Sequence, residues 1–202
     1  MMNNQAINFW NKRYEASEYI YGTSPNQFLK EQLEKLIPTT ILLPAEGEGR
    51  NAVYAASLGW DVTAFDISSS GREKAMQLAK KNNVSINYEI SEVLDFETNV
   101  YFDVIGLSYA HFPAEIRKEA HQHLLQFLNI GGIVIFEAFA KAQLGKSSGG
   151  PKNLEMLFSI DEIKDEFPQL EFKILKEESI ELSEGEYHQG KAEVIRFVGV
   201  KK

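Results

Sequence analysis

Gly47 and Gly49 stand in PAEGEGRNA, directly after the apolar run ILL at 41–43 and directly before a helical pattern over 51–58. Glycines at a strand-to-helix turn let the backbone approach a ligand where a Cβ would block it. Asp66 closes the next apolar run, DVTAFD, where a carboxylate can accept hydrogen bonds from both ribose hydroxyls of a nucleotide-like cofactor. Together these residues describe an adenosine-ribose site. The glycines taken alone are equally served by a tight structural turn.

Gly47-x-Gly49-x-x-Ala52 also fits the fingerprint of a nicotinamide dinucleotide site, so an oxidoreductase is the rival reading. Against it stands the length, which leaves no room for a separate catalytic domain. The Tyr-x-x-x-Lys pair of a short-chain dehydrogenase is matched only by Tyr187 and Lys191, which span Gly190 at the start of a predicted strand. Two side chains so placed do not meet as they do one helical turn apart.

The elements that must position these residues follow from the periodicity. Helical stretches are expected around 7–16 and 26–37, the second closed by Pro38. Apolar runs at 41–43, 61–66, 86–90, 102–108 and 133–139 then alternate with helical patterns at 51–58, 71–81 and 114–128. Short apolar strands separated by helices imply a parallel sheet covered on both faces. After the connector AKAQLGKSSGGPKN comes a short helix at 160–166. Two long runs, LEFKILKEESIEL and AEVIRFVGV, are then joined through Ser-Glu-Gly-Glu and must pair antiparallel, because a parallel return needs a crossover.

The 202 residues hold 21 basic and 29 acidic side chains, a net charge of −8 that repels phosphate backbones and anionic membranes, so neither is an expected partner. With no cysteine, a disulfide framework, a thiolate nucleophile and cysteine-ligated metal are excluded. No stretch reaches the roughly 20 apolar residues of a membrane span, nor does the N-terminus read as a secretory signal; the expectation is a cytoplasmic protein. One domain is expected, with 1–38 as a helical leader or lid and 39–202 as a Rossmann-like core. The oligomeric state is not readable.

At this point the chain resembles the class I S-adenosylmethionine-dependent methyltransferases, in particular the small bacterial group of the tellurite-resistance enzyme. FWNKRYEASEYIYGTSPNQFL resembles the group's opening, GEGRNAVYAASLGWDVTAFDIS its glycine loop and ribose-binding acid, and LNIGGIVIFEAF the turn into its fifth strand. The resemblance implies a seven-stranded, mostly parallel sheet in the order 3-2-1-4-5-7-6, strand 7 antiparallel, with helices on both faces. It implies S-adenosylmethionine as cofactor, S-adenosylhomocysteine as product and a small-molecule methyl acceptor. Gly47 and Gly49 then lie against the methionyl and ribose portion, Asp66 with Ile67 at the ribose, Glu92 with Val93 at the adenine, and Ser108 and Tyr109 at the methyl-donor pocket. Where the family carries Asp-x-Gly-x-Gly-x-Gly, this chain has Leu43 for the acid, Ala45 for the first glycine and Glu46 in the position between Ala45 and Gly47. Glu46 is expected to supply the missing carboxylate to the methionyl ammonium, with a surface glutamate near the helix as the alternative.

Methyl transfer needs alignment and exclusion of water more than it needs a catalytic triad. A base helps only when the nucleophile arrives protonated, and His111 is the first candidate; a loop histidine held by a hydrogen bond is the plainer reading. Phe9, Trp10, Tyr14, Tyr19 and Tyr21 read either as the apolar face of the leader or as a lid. In the lid reading Arg13, Tyr14 and Tyr21 close over the cofactor, Tyr14 standing with His111 as a candidate catalytic residue, and Arg13 offers a donor to the cofactor's carboxylate. Glu137 and Gln143 are candidate substrate contacts, and the connector up to Pro151 a candidate gate. His188 stands near the hairpin. No metal is expected, since His121 and His123, two apart on a helix, face away from each other. A noncatalytic protein that keeps the cofactor site is a third reading.

Overall fold

The computed structural model describes residues 4–202. Five strands run parallel: β1 (Thr40–Pro44), β2 (Asp61–Asp66), β3 (Asn87–Ile90), β4 (Phe102–Ser108) and β5 (Leu128–Phe139). The sheet is completed by a hairpin of β6 (Leu170–Glu184) and β7 (His188–Lys201), with β7 antiparallel to both β5 and β6. The strand order is β3-β2-β1-β4-β5-β7-β6, as the resemblance implied.

Alternating strand residues feed two cores, because successive side chains point to opposite faces. Ile41 and Leu43 join Val62, Ala64 and Ile135 under α2 (Gln27–Leu33), α3 (Arg50–Ser57) and α4 (Ser69–Lys81). Leu42 joins Phe65, Leu107, Phe136 and Phe197 under α5 (Ala114–Gln126) and α6 (Ile160–Glu166). Each such fully buried side chain contributes roughly 1.5–3 kcal/mol. Helix starts are set by local chemistry: the Ser68 hydroxyl accepts from Gly71 N at 3.0 Å, and Ser159 and Glu162 form a capping box on α6.

Several boundaries differ from the periodicity. α1 (Asn4–Tyr14) begins earlier than expected. α2 stops at Leu33, where Lys35 N and Leu36 N turn to carbonyls three residues back, which leaves Ile37 85% exposed. α5 ends at Gln126, and β5 starts at Leu128, five residues before the expected run, with a register shift opposite Phe102 and Val104 that absorbs Gly131 and Gly132. Among the described residues no helix is long and apolar enough to cross a membrane.

Candidate active site

The carboxyl ends of β1 and β2 shape the glycine loop. Ala45, Gly47 and Gly49 all have positive φ, at 51°, 58° and 83°. Ala45, which replaces the family's first glycine, therefore keeps a glycine-like conformation despite its Cβ. The Glu46 carboxylate is buried and accepts from Asn51 N at 2.8 Å, Ala52 N at 2.7 Å and Asn51 Nδ2 at 3.3 Å. It caps the start of α3 and is not a surface glutamate. Burial, partly offset by these hydrogen bonds, pushes its carboxyl up to about 7.

Gly47 is held on three sides. Its N–H donates to Asp66 Oδ2 at 3.0 Å, its carbonyl accepts from the Tyr88 hydroxyl at 2.6 Å, and a Cβ would sit 2.6 Å from the Tyr14 oxygen. At Gly49 a Cβ would fall 2.4 Å from the Cβ of Ala75, so this glycine serves the packing of α3 on α4.

Asp66 takes Ser68 N at 2.9 Å on its other oxygen. Among the described residues no Lys or Arg pairs with it, and burial pushes its carboxyl up to about 6. A carboxylate has about four acceptor positions, and the Gly47, Ser68 and Ile67 N–H groups do not fill them all. A desolvated acid with spare acceptors at the end of β2 fits a ligand that brings hydroxyl donors. Ile67 follows it half-buried, and Ser91 N donates to the Asp66 carbonyl at 3.1 Å, which sets Glu92 and the buried Val93 beside this strand end.

At the ends of β4 and β5, Ser108 is half-buried and Tyr109 adopts a left-handed φ of 54°, strained for an aromatic residue. Its hydroxyl donates to Glu137 Oε1 at 2.6 Å, and its N–H to the Glu137 carbonyl at 2.7 Å. Glu137 is buried and also takes Asn26 Nδ2 at 2.6 Å and Arg196 Nε. Asn26 N in turn donates to Asn51 Oδ1 at 2.8 Å, so one chain of polar groups runs from Glu46 to Glu137. Beside it Arg50 pairs with Glu184 at 2.9 Å, and the His188 ring packs 4.5 Å from Tyr109 and 4.7 Å from Tyr21.

His111 is half-buried, its ring stacked 5.7 Å from Phe139. Its Nδ1 is 2.9 Å from the Met156 carbonyl, which can only accept, so Nδ1 carries the proton. Nε2 is buried and has no partner among the described residues. Burial pushes the imidazole down to about 4, so it is neutral near pH 7.

The leader is fastened to this framework. Lys74 Nζ donates to the Ala16 and Glu18 carbonyls and pairs with Glu48, and Glu48 Oε2 accepts from Ile20 N at 2.8 Å. Tyr14 is buried against the glycine loop, whereas Phe9 is 53% exposed and is not a core residue. Arg13 lies 4.3 Å over the Tyr187 ring, and the Tyr21 carbonyl accepts from Arg50 at 3.3 Å. Gln143 is no free substrate contact, because its amide is spent on Ser148, the Gly149 carbonyl and Glu193 N. These bonds pin the connector, whose Gly149 and Gly150 lie on Phe139. His121 and His123 do diverge, to Glu166 and the Phe96 carbonyl, and Lys191 lies on β7 beyond the turn that holds Tyr187.

Periodicity and motif gave no sign of Tyr88, whose reach to Gly47 depends on the β2–β3 register. Asn26 and Arg50 had local signals, a cap position after Ser-Pro and the residue after the last glycine, that pointed to helix starts and not to the site.

Sheet order, with the glycine loop after β1 and the acid closing β2, is that of the Rossmann-like methyltransferase fold. Residues 41–132 match the family model described as a methyltransferase domain. It is 41% identical over 59 residues to a ubiquinone biosynthesis O-methyltransferase of Rickettsia akari, covering 29% of this chain and 24% of the relative. The same-named protein of Rickettsia canadensis is 33% identical over 89 residues, covering 44% of this chain and 38% of that one. These matches thus span well under half the length of the curated relatives. Among solved structures, TehB from Haemophilus influenzae superposes with a TM-score of 0.74 at 18% identity, covering 97% of this chain and 67% of the other.

Proposed function

We propose that the chain transfers a methyl group from S-adenosylmethionine to a small-molecule acceptor by in-line displacement. The carrying observation is Asp66: a buried carboxylate with no countercharge among the described residues, tied to Gly47 and Ser68, beside the loop that opens α3. Asp66 with Ile67 would hold the ribose, Glu92 and Val93 the adenine, and Gly47, Gly49, Ser108 and Tyr109 the methionyl side. Glu46 Oε2, which among the described residues takes only Asn51 Nδ2, is the oxygen left for the ammonium. Arg13, Tyr14 and Tyr21 cover the site from the leader.

When bound, the sulfonium supplies an electrophilic methyl carbon. The chain aligns the acceptor and keeps water out, with the Tyr14 ring sealing the glycine loop. Where the acceptor is a hydroxyl, thiol or amine, the new bond to carbon forms as the sulfur–carbon bond breaks. His111 Nε2 takes the released proton. Nδ1 keeps its proton and Nε2 offers the lone pair, and because burial holds the imidazole down at about 4, the proton moves only once a hydroxyl or thiol acceptor has taken on positive charge in forming the new bond.

The test is turnover: the full chain with the methyl donor and a panel of phenols, amines and thiols, read as S-adenosylhomocysteine formed. Acceptor-dependent product supports the proposal. Tight cofactor binding without turnover on any acceptor would favour the noncatalytic reading.

A further inference from the structure

We infer that Arg117 is a positioning residue for His111, acting through the two peptide carbonyls that flank Met156. The inference rests on the proposed role of His111, but the geometry it concerns is independent of the chemistry.

Arg117, on α5, is buried. Its Nη1 donates to the Glu155 carbonyl at 2.8 Å and to the Leu157 carbonyl at 3.1 Å. The carbonyl between them, that of Met156, is the one that meets His111 Nδ1 at 2.9 Å. One nitrogen therefore grips the backbone on both sides of the acceptor that fixes the His111 tautomer.

The rest of the guanidinium is anchored just as firmly. Nε and Nη2 reach Glu166 Oε1 at 2.8 and 2.6 Å, and Cζ lies 4.4 Å over the Phe158 ring. Glu166 is held in turn by His121 Nδ1 at 2.8 Å. Arginine's planar fork serves the carboxylate and the backbone at once; a lysine ammonium on a flexible stem lacks that fixed spread of donors.

Among the described residues His111 has no other anchor of this kind. Its remaining neighbours are the rings of Phe139 and Phe158, and the groups that bear on its charge are His188 from β7 and Arg117 and His121 from α5. If the 155–157 backbone turns, Nδ1 loses its acceptor and the proton redistributes between the two nitrogens, which removes the free lone pair from Nε2.

The experiment is nitrogen NMR of the histidine rings in the full chain, in the wild type, Arg117→Lys and the double variant Arg117→Gln/Glu166→Gln. The double variant removes both charges together and leaves no unpaired carboxylate in the core. The wild type is expected to show His111 as a single tautomer protonated on Nδ1, and both variants a mixture. With any acceptor turned over, kcat should fall on the order of ten-fold in Arg117→Lys while the KM for the methyl donor holds. A single unchanged tautomer in either folded variant overturns the inference, whatever the kinetics. Full turnover in His111→Gln would instead overturn the base role and leave the positioning result standing.

Discussion

The Tyr88 hydroxyl donates to the Gly47 carbonyl oxygen at 2.6 Å, across from the Asp66 carboxylate that holds the Gly47 N–H at 3.0 Å. The middle of the glycine loop is thus fixed from both β2 and β3. Tyr88→Phe strands a buried carbonyl and should lower stability by about 1–3 kcal/mol, read as a lower urea midpoint with unchanged slope. Cofactor affinity should fall several-fold. An unchanged midpoint would mean that the carbonyl finds another donor.

Asp66 links stability to pH. Its carboxyl is raised from 3.8 to about 6 by burial, so folding favours the protonated form. That contribution is fully present below the unfolded value and is lost as pH rises through about 6. Asp66→Asn should therefore make the cofactor-free protein more stable near neutral pH by about 1–2 kcal/mol, less than the shift alone implies because an amide oxygen cannot replace both carboxylate oxygens. The advantage should close towards acid pH. Binding has the opposite sign, since the ionised acid is the better acceptor for ribose hydroxyls: wild-type affinity for S-adenosylhomocysteine should rise as pH climbs through that range. A stability difference independent of pH would contradict this account.

Ala45 carries a φ of 51° where the resembling family has glycine. A left-handed residue with a Cβ costs roughly 1–2 kcal/mol, and glycine gives back roughly 0.5–1 kcal/mol through the unfolded chain. Ala45→Gly should thus be neutral to mildly stabilising, and Ala45→Val clearly destabilising, in thermal unfolding. A loss in Ala45→Gly would show that the methyl packs favourably.

The leader divides at Tyr14. Phe9→Ala should change stability by no more than about 0.5 kcal/mol, because the ring is 53% exposed. Tyr14→Ala removes a buried ring from the face of Gly47 and should cost about 3–5 kcal/mol. Deleting residues 1–24 also strips Lys74 and Glu48 of their backbone partners, so denaturant unfolding should lose much of its cooperativity. A truncated chain that unfolds as sharply as the whole would make the leader a detachable lid.

Sequence patterning reached the fold well, because five apolar runs alternate with helical periods and the short Ser-Glu-Gly-Glu link forces an antiparallel hairpin. It reached Gly47 and Asp66 for the same reason: both sit at strand ends where spacing is local. The residues it passed over act through tertiary register. Tyr88 meets Gly47 over 41 positions, Asn26 meets Glu137 over 111, and Arg50 meets Glu184 over 134. Glu46 is open in sequence to two readings, an ammonium ligand or a surface glutamate near the helix, and the buried cap that the structure shows belongs to neither. Only its bonds to Asn51 N and Ala52 N reveal the cap.

The central claim is that Asp66 and the glycine loop bind the methyl donor, and calorimetric titration with S-adenosylhomocysteine tests it most directly. The wild-type chain should bind with a single saturable transition and show no heat with a nicotinamide dinucleotide. Asp66→Ala should stay folded and lose affinity ten-fold or more, since hydrogen bonds to a charged group are worth about 1.5–3 kcal/mol. Unchanged affinity in Asp66→Ala, or binding of the nicotinamide dinucleotide in place of S-adenosylhomocysteine, would contradict it.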